Sequence, residues 1–177
     1  MRQARHRRAP SGRGAARHVG ATGLPHLSQG NLMAASHIEL PQTDSCAFCD
    51  YLSGRRPYTI LCRSDLAAIL VTREQRGSAH LLVVPVRHRP TLLDLNEQEA
   101  NAVMSLLRRA ARAIDSTEQR PGIAVWQNNG VPADQTIPHV HFHVAGTLPQ
   151  GGTERGRVEE LSLEQTDKIA ARLHASI

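Results

Sequence analysis

The chain has 177 residues, enough for one domain with tails, and its formal charge of +5 is unevenly spread. No acidic residue precedes Glu39, and that stretch holds six arginines; without them 15 basic residues face 16 acidic ones, a net of −1. The basic balance belongs to the amino-terminal segment, so it gives no ground for reading the remainder as a nucleic-acid binder.

Residues 1–38 are rich in Arg, Gly, Ala, His and Pro and show no apolar periodicity, which predicts a disordered basic tail with at most weak affinity for nucleic acid. Met33-Ala34-Ala35-Ser36 reads as an alternative start, with the preceding residues outside the natural protein. No apolar run reaches the length of a signal segment or a membrane span, so a cytoplasmic protein without membrane association is expected. Three cysteines, an odd number, do not suggest a disulfide framework.

Cys46-Ala47-Phe48-Cys49 opens the folded part. A C-x-x-C pair in an intracellular chain reads as half a zinc site or as a redox pair. A redox pair wants a strand just before it, and Pro41-Gln42-Thr43-Asp44-Ser45 offers none, so zinc is preferred. Tyr58 to Cys62 and Leu66 to Val71 read as an antiparallel hairpin, with Cys62 a small core residue. His80 to Pro85 is a continuous apolar run of strand length, central in a sheet. His88 lies just past it, where a ligand could fold back over that sheet.

Asn96 and Glu99 form a capping box, and the apolar spacing that follows predicts an amphipathic helix from Glu97 to Asp115. Arg108, Arg109 and Arg112 fall on its solvated side. Ile123 to Gln127 is the next strand, and Asn128 to Thr136 a loop. The Asn, Gln, Thr and backbone N–H groups of that loop can hold phosphate oxygens without Lys or Arg. Ser162 with Gln165 caps a short carboxy-terminal helix reaching Ala175. Strands, a helix, strands and a final helix make an α+β domain with a mainly antiparallel sheet.

The loop runs into His139-Val140-His141-Phe142-His143-Val144-Ala145. In an extended strand the three histidines share one face and Val140, Phe142 and Val144 the other. Three imidazoles in register are costly in a core, because each brings two nitrogens that need partners. They are expected to line a cleft or a metal site. At strand spacing, neighbouring rings sit about 7 Å apart and the outer two about 13 Å apart. All three could hardly reach one ion, which implies divided roles.

This run fits the pattern H-φ-H-φ-H-φ-φ (φ apolar), and residues 45–146 resemble the histidine triad (HIT) superfamily. The likeness rests on CAFC, on LLVVPVRH with its following helix, and on NNGVPADQTIPHVHFHV, in that order and spacing. It implies a HIT-like fold over residues 39–148, a five-stranded antiparallel sheet with one long amphipathic helix, and a homodimer. Residues 149–177 would be an extension carrying the short helix. It also implies an enzyme, a nucleotide-binding hydrolase acting on purine nucleoside phosphoramidates or related nucleoside-monophosphate esters through a nucleotidyl-histidine.

By the same resemblance His141 is the nucleophile and His143 hydrogen-bonds the phosphate. Asn128, Gln135 and Thr136 contact the phosphate or the leaving group, and Cys46, Cys49, His88 and His139 hold a structural Zn2+. A dinucleoside polyphosphate hydrolase or phosphorylase, using the same adduct, and a slow-turnover nucleotide-sensing module are the alternatives. A uridylyltransferase-like reaction fits less well, since that branch has a shorter triad variant and a longer chain. Three positions depart from the pattern. Thr72 stands where relatives commonly carry an acidic residue for the ribose hydroxyls, Ala79 stands where glycine is usual, and the segment after Gly146 has no tryptophan.

Overall fold

The computed structural model describes residues 36–177. The tail and the alternative start at Met33 expected from the sequence fall on or next to residues 1–35 and lie largely outside the described residues. Five strands, β1 (Ile60–Arg63), β2 (Ala67–Val71), β3 (Ser78–Pro85), β4 (Ile123–Gln127) and β5 (Phe142–Gly146), form one sheet in the order β1-β2-β3-β5-β4. Every neighbouring pair is antiparallel. Helices α1 (Ala47–Leu52), α2 (Glu97–Glu118) and α3 (Leu163–His174) complete the domain. This is the α+β architecture that the sequence predicts.

Strands β2 and β3 read as continuous apolar runs because both of their faces are buried. Alternation sends Ile69, Val71, Leu81, Val83 and Val144 to one face, where Val103, Leu107, Ala110 and Ile114 of α2 and Leu173 of α3 cover them. The opposite face carries Ala68, Leu70, Leu82 and Val84, against Phe48 and Leu52 of α1. His143 pairs across the ladder with Leu82 and with Trp126, so it belongs to this second face.

Helix α2 begins at the predicted capping box: Asn96 accepts from the Glu99 amide at 2.8 Å and Glu99 accepts from the Asn96 amide at 3.1 Å. It runs three residues beyond the expected Asp115 and ends at Gln119, which adopts the left-handed conformation (φ 49°) that sequence reading assigns to glycine or asparagine. Glu99 also holds Arg89 through paired bonds of 2.8 and 2.9 Å, which ties the helix start to the segment following β3. Helix α3 starts at the expected Ser162–Gln165 box.

Helix α1 carries no start signal in the sequence, because its N-cap is Cys46, whose Sγ accepts from the Cys49 amide at 3.4 Å. Cysteine is not among the usual capping residues. The histidine run also needs correction. It is not one strand from His139 to Ala145; pairing begins at Phe142. Before that point the Val140 amide donates to the Arg89 carbonyl at 2.6 Å and His139 turns toward the cysteines. The His141 and His143 rings are consequently 5.0 Å apart, closer than the 7 Å of a regular strand.

Candidate active site

The three histidines have different surroundings. His139 is fully buried, with Nδ1 3.3 Å from Cys46 Sγ and 3.7 Å from Cys49 Sγ, while its Nε2 donates to the Pro85 carbonyl at 3.0 Å. His88 brings its Nδ1 to 3.5 Å from Cys49 Sγ. The four potential ligand atoms lie within 4.8 Å of one another. In a tetrahedral zinc site, sulfur and nitrogen ligands sit about 3.6 Å apart. The donor set therefore fits such a cation, and the Pro85 contact is the outer hydrogen bond that orients a ligating imidazole. Burial pushes the His139 imidazole down to about 4, so it stays neutral and keeps its lone pair.

His141 is buried between Phe48 of α1, with ring centroids 5.1 Å apart, and His143. Its Nδ1 lies 2.7 Å from the His139 carbonyl. A carbonyl only accepts, so Nδ1 carries the hydrogen and Nε2 holds a free lone pair. Burial depresses the pKa of this ring below the ordinary imidazole range.

His80 is a site residue that the sequence reading absorbed into an apolar strand. It is almost wholly buried, with Nδ1 2.8 Å from the Glu74 carbonyl and Nε2 3.0 Å from His143 Nδ1. The Arg76 amide also points at His80 Nδ1 from 3.3 Å, but the shorter contact is to a carbonyl that only accepts, so His80 Nδ1 donates to it and His143 Nδ1 donates to His80. The remaining nitrogen of the chain, His143 Nε2, is left unprotonated. Burial, with smaller effects from His141, His80 and Arg76, drives the His143 pKa far down, and burial lowers His80 to about 4.

A second residue without a local signal is Trp126. Its ring lies parallel to His143, 4.6 Å away with 1° between the planes.

His141 and His143 open on a groove of about 1060 Å³, whose walls include Trp126, Asn128, Thr136 and the segment Thr153 to Gly156. Gln135 is buried and is not part of those walls. Its Oε1 accepts from the Gly130 amide at 2.6 Å, and its Nε2 donates to the Pro90 and Ile137 carbonyls at 2.7 and 2.9 Å. With its amide engaged in this way, Gln135 shapes the loop that presents Asn128 and Thr136. Thr72 is buried at the end of β2, where its hydroxyl accepts from the Glu74 amide at 3.3 Å.

A family model described as HIT domain matches residues 53–149. An adenosine 5'-monophosphoramidase of Schizosaccharomyces pombe is 29% identical over 112 residues, 63% of this chain and 79% of that protein. A bis(5'-nucleosyl)-tetraphosphatase (asymmetrical) of the same yeast is 31% identical over 85 residues, 48% of this chain and 47% of that protein. Among solved structures, a Zn-bound histidine triad family protein from Mycobacterium smegmatis superposes with a TM-score of 0.64 at 23% identity, covering 75% of this chain and 92% of the other. No helix among the described residues is long and apolar enough to cross a membrane.

Proposed function

The chain belongs to the HIT-domain family, and on that premise we propose that it hydrolyses nucleoside phosphoramidates or related nucleoside-monophosphate esters through a nucleotidyl-His141 intermediate. The observation that carries the reading is the hydrogen bond from His141 Nδ1 to the His139 carbonyl, which leaves the opposite nitrogen as a neutral nucleophile beside the groove. The His141 Nε2 lone pair forms a bond to the α-phosphorus as the phosphorus–nitrogen bond to the leaving amine breaks. The amine takes a proton from His143 Nε2, which is charged once the anionic phosphate lies beside it. Water then attacks phosphorus, the His141 bond breaks, and the proton of the water returns to His143. Asn128 and Thr136 hold the phosphate oxygens; Gln135 acts through the shape of the loop.

Cys46, Cys49, His88 and His139 would hold Zn2+, as a closed site that stiffens the chain next to His141 and leaves no open coordination position for catalysis. The chain would act as a homodimer in the cytoplasm.

A dinucleoside polyphosphate hydrolase is the second reading, favoured by the likeness to the tetraphosphatase. Competition between an adenosine phosphoramidate and diadenosine tetraphosphate, with products separated by chromatography, distinguishes the two. The expected result is preferential cleavage of the phosphoramidate and no turnover of either substrate by His141→Gly. Preferential cleavage of the dinucleotide moves the chain to the second reading, and substantial turnover by the variant refutes the assignment of His141.

A further inference from the structure

The relay from the Glu74 carbonyl through His80 to His143 ends in a nitrogen that has to gain and lose a proton in each cycle. Burial and the Arg76 charge oppose that gain, whereas the neutral His80 Nε2 that accepts from His143 Nδ1 favours it. His141, just before β5, and His80 on β3 stand beside it, and Arg76 lies in the turn between β2 and β3. The Glu74 carboxylate is taken by Arg76 at 2.7 Å. Asp134, Glu154 and Arg155, which also line the groove, bring charges of both signs.

One electron-rich surface does lie on the ring. The indole of Trp126 is stacked on the His143 imidazole, because β4 and β5 pair these two residues directly. A cation over the face of a tryptophan within about 6 Å of the centroid is stabilised by the ring quadrupole.

We propose that Trp126 is a positioning residue whose indole face stabilises the charged form of His143, and so supports proton delivery to the leaving group. The inference rests on the hydrolase reading for its chemistry and on the stack itself for its geometry. The stack belongs to this chain's own sequence and follows from no part of the triad pattern.

Trp126→Leu keeps an apolar cover on His143 but removes the π face, whereas Trp126→Phe keeps both. An alkylamine phosphoramidate of AMP needs a proton on its leaving group, whereas the p-nitrophenyl ester of AMP releases p-nitrophenolate, a stable anion. Trp126→Leu is expected to lower kcat roughly tenfold on the phosphoramidate, the size of one cation–π contact, and less than twofold on the ester. Trp126→Phe should stay near wild type on both. In the substrate complex His143 is active when protonated, so the alkaline limb of kcat should move down by about one pH unit in Trp126→Leu. Equal losses on both substrates, or a limb that moves up, would make Trp126 merely structural and overturn the proposal.

A second readout does not depend on turnover. Trp126 is the sole tryptophan of the chain. Its emission with AMP bound should fall on acidification as His143 takes a proton, and His143→Leu should abolish that fall. Emission indifferent to pH, or a fall that survives in His143→Leu, refutes the contact. If wild type cleaves neither substrate the hydrolase reading fails, while the fluorescence still decides the fate of the stack.

Discussion

At the scale of single residues, the pairing of cysteines with histidines is the point most open to measurement. Burial, followed by the neighbouring Cys46 side chain, pushes the Cys49 thiol up to about 11. Zinc is ligated by thiolate, so binding has to expel that proton. Affinity should therefore fall as pH falls, by about tenfold per unit for each proton released. Freshly purified protein is expected to carry close to one zinc per chain, to lose it more readily to a chelator at pH 5.5 than at pH 8, and to lose it outright in Cys46→Ser. Metal-free protein with both thiols titratable would contradict the site, as would retention that does not change with pH. Gln135 carries a different lesson at this scale. Its residue type suits phosphate, yet three internal hydrogen bonds occupy its amide, and only the folded loop reveals this.

At the scale of elements, β3 decides where the relay starts. Ala79 has φ of 53°, a conformation that favours glycine, and the pairing with β5 shifts register between Ser78 and Leu81. Past the irregularity, strand alternation puts His80 on the face of Leu82, the residue that pairs with His143. Ala79→Gly should relieve the strain at some cost in chain entropy and raise the unfolding free energy by about 0.5–1 kcal/mol, with the His80 contact retained. Ala79→Val should destabilise the fold. Denaturant melts of the two variants check this, and a loss of stability in Ala79→Gly would show that the Ala79 methyl contact outweighs the strain.

Element boundaries were legible where local chemistry sets them. The capping boxes at Asn96 and Ser162 marked both longer helices, and the apolar runs marked β2 and β3. Helix α1, capped by a cysteine, and the break in the histidine run, set by the Arg89 carbonyl, depend on partners that are distant in sequence or lack a capping signature.

At the scale of the whole molecule, one sheet serves two purposes. The face under α2 and α3 is a closed apolar core; the other carries the apolar packing of α1 at one end and His80, Trp126 and His143 at the other. The triad pattern made His139, His141 and His143 visible in the sequence, and with them the general location of the site. His80 and Trp126 escaped notice because a lone histidine inside an apolar run and a lone tryptophan in a strand acquire meaning only through cross-strand register.

Among the described residues the strand order also leaves β4 with a free edge, where Val125 is 49% exposed. An unpaired edge with an exposed apolar side chain is suited to a second copy of the chain. Light scattering should report about twice the 19.4 kDa chain mass, and Val125→Glu should yield monomer. A monomeric wild type would exclude the homodimer.

The central claim is that His141 itself carries the nucleotide during turnover. The most direct measurement is the intact mass of the protein quenched within its first turnovers on an adenosine phosphoramidate. Wild type should show a transient gain of one adenylyl group, which peptide mapping places on His141, and His141→Gly should show none. Hydrolysis at full rate without any adduct, or an adduct that persists in His141→Gly, would contradict the account.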